Sequence, residues 1–305
     1  MLQFMIFEMQ LVVTLLACRP QSAVHTSAPK ASPAAISSVA QDWGFAEYSA
    51  VDFPVAIHSS GPRWVGSLDR ASGWMKRYLE TEDARFDAAF LLHHVRRVAD
   101  SEDLKEVHEV VREQVNWDRG HPLRVLADPS FIERIPPGTS HGWSAPDEGR
   151  VNANRVLVEA AHCARDGWRD QTTTYVCGNM RDQGGFQTTH ALWSLDYAVE
   201  QQCVERAQVS ACLLSLQEEL LAAQRSADEP ASTTEMDLFI QRVIMLIRSG
   251  SVAPELEAWV IQVAHWQRAD GAWGIASDED DPYYEFHVTM MGVWAIIEWV
   301  TLQSS

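Results

Sequence analysis

A chain of 305 residues with 46% hydrophobic and 22% charged residues has the balance of an ordinary globular protein, with room for one large domain or two small ones. Its formal charge of −18 repels phosphate backbones, and it carries no basic cluster, phosphate-cradling glycine loop or dinucleotide fingerprint, so no nucleic acid partner is expected. Twelve tryptophans point to aromatic packing, either in a core or along a pocket.

In chain order, the first element is the apolar run Leu11 to Ala17, which ends at Cys18. It is too short to span a bilayer and suits the apolar part of an export signal. The tetrapeptide Leu15-Leu16-Ala17-Cys18 resembles a bacterial lipobox. The resemblance implies removal of residues 1–17 and lipidation of Cys18, with the membrane as a partner. Arg19 stands where an Asp would retain a lipoprotein in the inner membrane. An outer-membrane anchor facing the periplasm, or the cell surface, is therefore expected. Residues 18–42 follow as a tether: Gln21 to Ala40 is rich in Ala, Ser and Pro, lacks aromatics and cannot bury a core. Residues 43–305 are read as a single domain.

Within that domain helical period predicts helices over Ser67–Thr81, Ala84–Ala99, Leu104–Asn116, Arg150–Asp166, Thr188–Tyr197, Val204–Ala223, Thr234–Ser249, Pro254–Arg268 and Glu285–Leu302. Asp83 is a candidate N-cap, and Pro254 suits a first helical position. No run sustains period-two alternation, so the fold class is all-α with little or no sheet. Cys163, Cys177, Cys203 and Cys212 form an even set, which in an oxidising compartment permits three disulfide pairings. Cys203 and Cys212 are more than two helical turns apart and are not expected to bond to each other.

Alternating helices and loops suggest stacked helical hairpins. Gln267-Arg268-Ala269-Asp270-Gly271-Ala272-Trp273-Gly274 resembles the QxxDGxW turn of terpene cyclases and protein prenyltransferase β-subunits, and Asp182-Gln183-Gly184-Gly185-Phe186 is a degenerate second copy. The resemblance implies an α/α toroid, complete or partial, with hairpins ringed around a central cavity. The turn itself reads as a clasp: Gly271 gives backbone freedom, Asp270 accepts turn N–H groups, and Trp273 stacks back on the hairpin.

Chemistry-bearing residues fall on helix faces. His190, Trp193 and Tyr197 share one face, and His287, Met291, Trp294 and Glu298 another. Phe90, His94 and Arg97 form a third stripe, and Glu159, His162 and Asp166 a fourth. In a toroid such stripes would line the cavity, making His190, His287 and Tyr197 catalytic candidates. The likeness to prenyltransferases, which bind zinc with Asp, Cys and His, makes Cys177, Asp182, His190 and His287 candidate zinc ligands. Asp278-x-Asp280-Asp281 matches the DxDD motif of class II terpene cyclases, where a protonated Asp protonates an alkene; Asp280 and Asp281 would fill that role. Three readings stay open. The first is a metal-assisted enzyme on an apolar or peptide substrate. The second is a non-catalytic lipoprotein that binds a ligand or partner. The third is an α/α-barrel polysaccharide-degrading enzyme using Tyr, His and a carboxylate pair.

Overall fold

The computed structural model describes residues 62–85, 87–89, 91–92, 95, 101–115, 124–127, 131, 133, 136–137, 153–275 and 282–304. Long helices are α1 (Pro62–Leu79), α2 (Glu102–Gln114), α3 (Ala153–Asp166), α5 (Gly185–Glu200), α6 (Arg206–Arg225), α7 (Thr233–Arg248), α8 (Leu256–His265) and α9 (Pro282–Ser304). The short α4 (Asp170–Tyr175) runs into a π turn, Val176–Met180, and a last turn, Arg181–Gln183. Residues 87–89, 91–92 and 95 are also helical, and no strand occurs among the described residues. The fold is all-α.

Local chemistry sets several boundaries. Ser101 caps α2 by accepting from Leu104 N. Ser232 caps α7 by accepting from Glu235 N, and the Glu235 carboxylate accepts from Ala231 N, the residue before the cap. Asp83 does not cap the next helix, because residues 83–85 are irregular and described helix begins at 87. Helix α8 starts at Leu256, two residues after Pro254. The run 170–183 is helical although its Thr, Gly and Asn content disfavours helix. Two disulfides pin this region, Cys163–Cys203 and Cys177–Cys212, and the π turn carries Cys177.

The helices are of two kinds. Along α6 a single apolar stripe is buried, Val209, Leu213, Leu216 and Leu220, as suits a helix with one face on a core. By contrast α7 and α9 are buried on nearly every side, from Met236 to Ile247 and from Tyr283 to Val300. These inner helices run parallel in register. Thr189 meets Gln241 and Asp196 meets Arg248, each pair 52 residues apart, while Arg248 meets Glu298 50 residues on. Contacts that advance together along both helices require a parallel pair. Helices α6 and α8 are the connections that return the chain for each next inner helix.

The interior between α5, α7 and α9 is filled. Trp193 of α5 touches Trp294 of α9 at 5.1 Å between ring centroids, and Trp294 Nε1 donates to Glu298 at 2.7 Å. Arg248 reaches Asp196 and Glu298 at 3.0 Å each and also Glu200. Burial opposes the charge on Arg248, but the surrounding carboxylates outweigh it and hold the guanidinium firmly protonated.

The DGxW turn behaves as a clasp. Gly271 has φ +106°, and a Cβ there would lie 2.1 Å from Arg70 O of α1. Asp270 Oδ1 accepts from Ala272 N at 3.2 Å, and buried Trp273 donates from Nε1 to Val263 O at 2.6 Å while its ring lies against Gly292 of α9. Gln267 Nε2 donates to Ser67 O at 2.8 Å, so the turn after α8 fastens onto α1. The degenerate copy works differently. Gly184 (φ +69°) and Gly185 (φ +57°) start α5, while Asp182 pairs with its exposed neighbour Arg181.

Candidate functional site

The first two turns of α7 and α9 carry ionisable residues inside an otherwise apolar surround. His287 sits in the second turn of α9, where Phe286, Val288 and Met290 fix the helix by burial. Its Nδ1 lies 3.1 Å from Asp87 Oδ2 and its Nε2 lies 3.6 Å from Asp237 Oδ2. Tyr284, one turn earlier, stacks on the imidazole with planes 2° apart and donates its hydroxyl to Asp237 Oδ2 at 2.9 Å. Gln241 Nε2 donates to Asp237 Oδ1 at 3.0 Å, and Thr189 of α5 donates to Gln241 Oε1 at 2.9 Å. Tyr283 donates to Asp87.

His287 thus has a carboxylate facing each ring nitrogen, an arrangement that suits the doubly protonated imidazolium. Burial disfavours that charge, but Asp237 and Asp87 outweigh burial and raise its pKa above the usual histidine value. Burial pushes the Asp87 carboxyl up, yet the His287 ring wins and its pKa is held below the usual carboxylate range. Burial and the adjacent Asp87 push the Tyr283 hydroxyl far up, so it remains a donor.

His190, in the second turn of α5, is tuned the other way. Its Nδ1 lies 2.8 Å from Phe186 O, a carbonyl that can only accept, so Nδ1 carries a proton and the neutral form of the ring has its lone pair on Nε2. Burial lowers its pKa; the Phe186 carbonyl and Asp237 oppose this, and His287 reinforces it. His190 is near enough to feel both Asp237 and His287. Its ring also touches Trp193 at 6.0 Å, continuing the chain of aromatics to Trp294. The two stripes read from sequence, His190/Trp193 and His287/Trp294/Glu298, therefore meet.

Other expected site residues are not brought here. Cys177 cannot serve as a zinc thiolate, because its sulfur is bonded to Cys212. Asp182 is an exposed partner of Arg181. No group of three or more His, Cys, Asp or Glu side chains suited to a metal ion occurs among the described residues. The four-residue zinc set of Cys177, Asp182, His190 and His287 is thereby corrected to a pair of histidines with carboxylate neighbours. Tyr197 lies nearly two turns beyond His190 and packs against Val125, Phe131 and Ala161. It is not part of the histidine cluster. The stripe of Glu159, His162 and Asp166 is structural: buried Glu159 binds Arg169 at 2.6 Å and Thr172 at 2.7 Å, while Arg165 binds Asp166 at 2.7 Å. Asp278, Asp280 and Asp281, the stripe of Phe90, His94 and Arg97, and Cys18 with residues 1–42 lie outside the described residues.

Sequence reading missed Asp87, Asp237, Gln241 and Tyr284. A signal for Asp237 was present: it interrupts the apolar run of Met236, Leu238, Phe239 and Ile240, and a carboxylate on a buried face needs a partner. Asp87 had only the weaker signal of preceding Ala88 and Ala89 in the same way. No protein-family profile, characterised protein or solved structure matches this chain.

Proposed function

We propose that this is an exported, membrane-anchored enzyme that moves protons with a pair of histidines at one end of an α/α-toroid interior. The observation that carries this reading is the contrasting surroundings of two imidazoles in one cluster, carboxylates facing both nitrogens of one and a backbone carbonyl accepting from Nδ1 of the other. His287 lies 3.1 Å from Asp87 and 3.6 Å from Asp237, and the two carboxylates favour its charged form. Burial favours the neutral form of His190, and the Phe186 carbonyl fixes its proton on Nδ1. An acid and a base in one site, each tuned by its surroundings, is the arrangement general acid–base catalysis needs. His190 Nε2 would take a proton and His287 would give one, with Asp87, Asp237 and Tyr284 holding the charged ring in place.

Several findings support the wider assignment. Two formed disulfides fit an oxidising compartment and so agree with the lipobox-like Leu15-Leu16-Ala17-Cys18. The register of about fifty residues between inner helices, together with fastening of α1 onto the last hairpin, favours a ring that closes on itself. A second reading, a non-catalytic ligand-binding lipoprotein, is favoured by one observation: both nitrogens of His287 already face protein carboxylates.

Nitrogen NMR of histidine-labelled protein tests the pair directly. His190 should give the neutral Nδ1–H signature at a lower pH than His287, which should stay doubly protonated to a higher pH. Two histidines with the same tautomer and the same titration midpoint would remove the acid–base reading. Anchoring is tested separately, by metabolic lipid labelling that Cys18→Ser should abolish.

A further inference from the structure

We propose that the inner helices carry a pH-sensitive pin at one end: loss of the His287 proton loosens α9 from α7 there, while the opposite end stays closed. The inference rests on the charged His287 of the paired-histidine reading but needs no catalysis. The two ends are built alike. At each, a cation on one inner helix lies between carboxylates of two others. Arg248 of α7 reaches Asp196 of α5 and Glu298 of α9 at 3.0 Å each. His287 of α9 lies 3.1 Å from Asp87, in the helical residues 87–89, and 3.6 Å from Asp237 of α7. The cations differ in kind. A guanidinium keeps its charge at any pH the fold meets, whereas an imidazole loses its proton within reach of neutrality. Of the two ends, only the one at His287 changes state.

Donors and acceptors decide which contact gives way. The charged ring turns an N–H towards each carboxylate; the neutral ring keeps only one. Asp87 Oδ2 holds that one on Nδ1, being within hydrogen-bond reach at 3.1 Å. Nε2 then turns a lone pair on Asp237 Oδ2, and an attraction becomes a repulsion where screening is poor, the Asp237 side chain being 3% exposed. Asp87 stays tied to α9 through Tyr283 as well, and Arg85 lies over the Tyr283 ring at 4.2 Å, on the side that holds. Asp237 keeps Gln241 of its own helix and, across the seam, the Tyr284 hydroxyl. The remaining neighbours do not replace the lost charge. His190 of α5, whose pKa burial lowers, gives up its charge before His287 does as pH rises. Glu285 is engaged by Arg268, and α1 presents the Tyr78 ring to Phe286 at 4.7 Å.

Hydrogen exchange read by mass spectrometry on the full chain, with its disulfides intact, tests this from pH 6 to pH 9. Protection of residues 233–241 and 282–290 is divided by that of residues 194–200 and 294–300 in the same sample, which cancels the faster chemical exchange in alkali. The ratio should fall as pH rises, by about tenfold if folding raises the His287 pKa by one. His287→Lys keeps a cation through this range and should hold the ratio level. A level ratio in the parent protein would overturn the proposal, as would a loss shared equally by both ends or a fall that persists in His287→Lys. The parent series decides by itself should that variant fail to fold. Histidine NMR on the same sample keeps the two ideas apart. If His287 titrates above His190 while the ratio stays level, the pin alone falls. If the two titrate together, the paired-histidine reading falls, and the pin stands or falls on the ratio.

Discussion

Replacing Arg248 with methionine tests the interior most severely. The guanidinium bridges Asp196 and Glu298 at 3.0 Å each, and all three side chains are at most 10% exposed. Glu200 is 40% exposed, so its contribution is largely screened. Removing the cation leaves two buried carboxylates, Asp196 with Arg206 at 3.2 Å and Glu298 with the Trp294 Nε1 donor at 2.7 Å. Breaking a buried ionic cluster in this way costs about 3–5 kcal/mol. For a domain of this size that is roughly a 6–20 °C fall in Tm. The cost should depend on pH. Burial already raises the Asp196 pKa with Arg248 present. Without Arg248 the folded pKa rises further above the unfolded value, so the variant regains stability as pH falls and a proton replaces the lost charge. Thermal unfolding of both proteins at pH 8 and pH 5 should show the gap narrowing at pH 5. A variant within about 1 kcal/mol of the parent at both values would refute the reasoning, since surface ion pairs cost no more than that. Adding Glu298→Gln to Arg248→Met should restore part of the loss, because it removes one stranded charge.

Four further outcomes follow from the same structure. His287 has a raised folded pKa, so its stabilisation is complete below the unfolded value of about 6.5 and is lost as pH rises through the folded pKa; His287→Gln should flatten denaturant-measured stability across that window. His190 acts with opposite sign, its lowered folded pKa giving stability that is lost as pH falls below about 6.5, so His190→Gln should flatten the acid side instead. Cys177→Ser with Cys212→Ser opens a bridge spanning 35 residues and should cost about 4 kcal/mol on the chain-entropy account, read as a lower denaturation midpoint under non-reducing conditions. Gly271→Ala would drive a Cβ to 2.1 Å from Arg70 O, so calorimetry should record a Tm loss larger than that of Gly178→Ala, where a Cβ meets nothing within 4 Å.

Much of the fold was legible because inner and outer helices impose different patterns on sequence. The four-three-four stripe of Val209, Leu213, Leu216 and Leu220 announces a helix with one buried face. The run 170–183 was not legible, since the composition from Thr172 to Asn179 reads as loop and only the packed neighbours and the Cys177–Cys212 bond make it helical. Half of the site was legible for a reason that topology explains. A sequence period of 3.6 reports which residues share a face of one helix, so His190 with Trp193 and His287 with Trp294 stood out. It does not report which helix comes next to which. Asp87 lies 200 residues from His287, and Asp237 lies 50 away, yet the two carboxylates decide the charge of that ring. The zinc expectation failed at the same point: Cys177 and Asp182 are near His190 in sequence, but the disulfide and the glycine turn direct them elsewhere. Proximity along the chain pointed to Cys177 and Asp182, whereas the parallel register of about fifty residues brings Asp237 beside His287. A repeat of that length makes equivalent positions on successive inner helices meet, as Asp196, Arg248 and Glu298 do. In such a fold, charged positions spaced by one repeat carry more information about a site than motifs within a single helix.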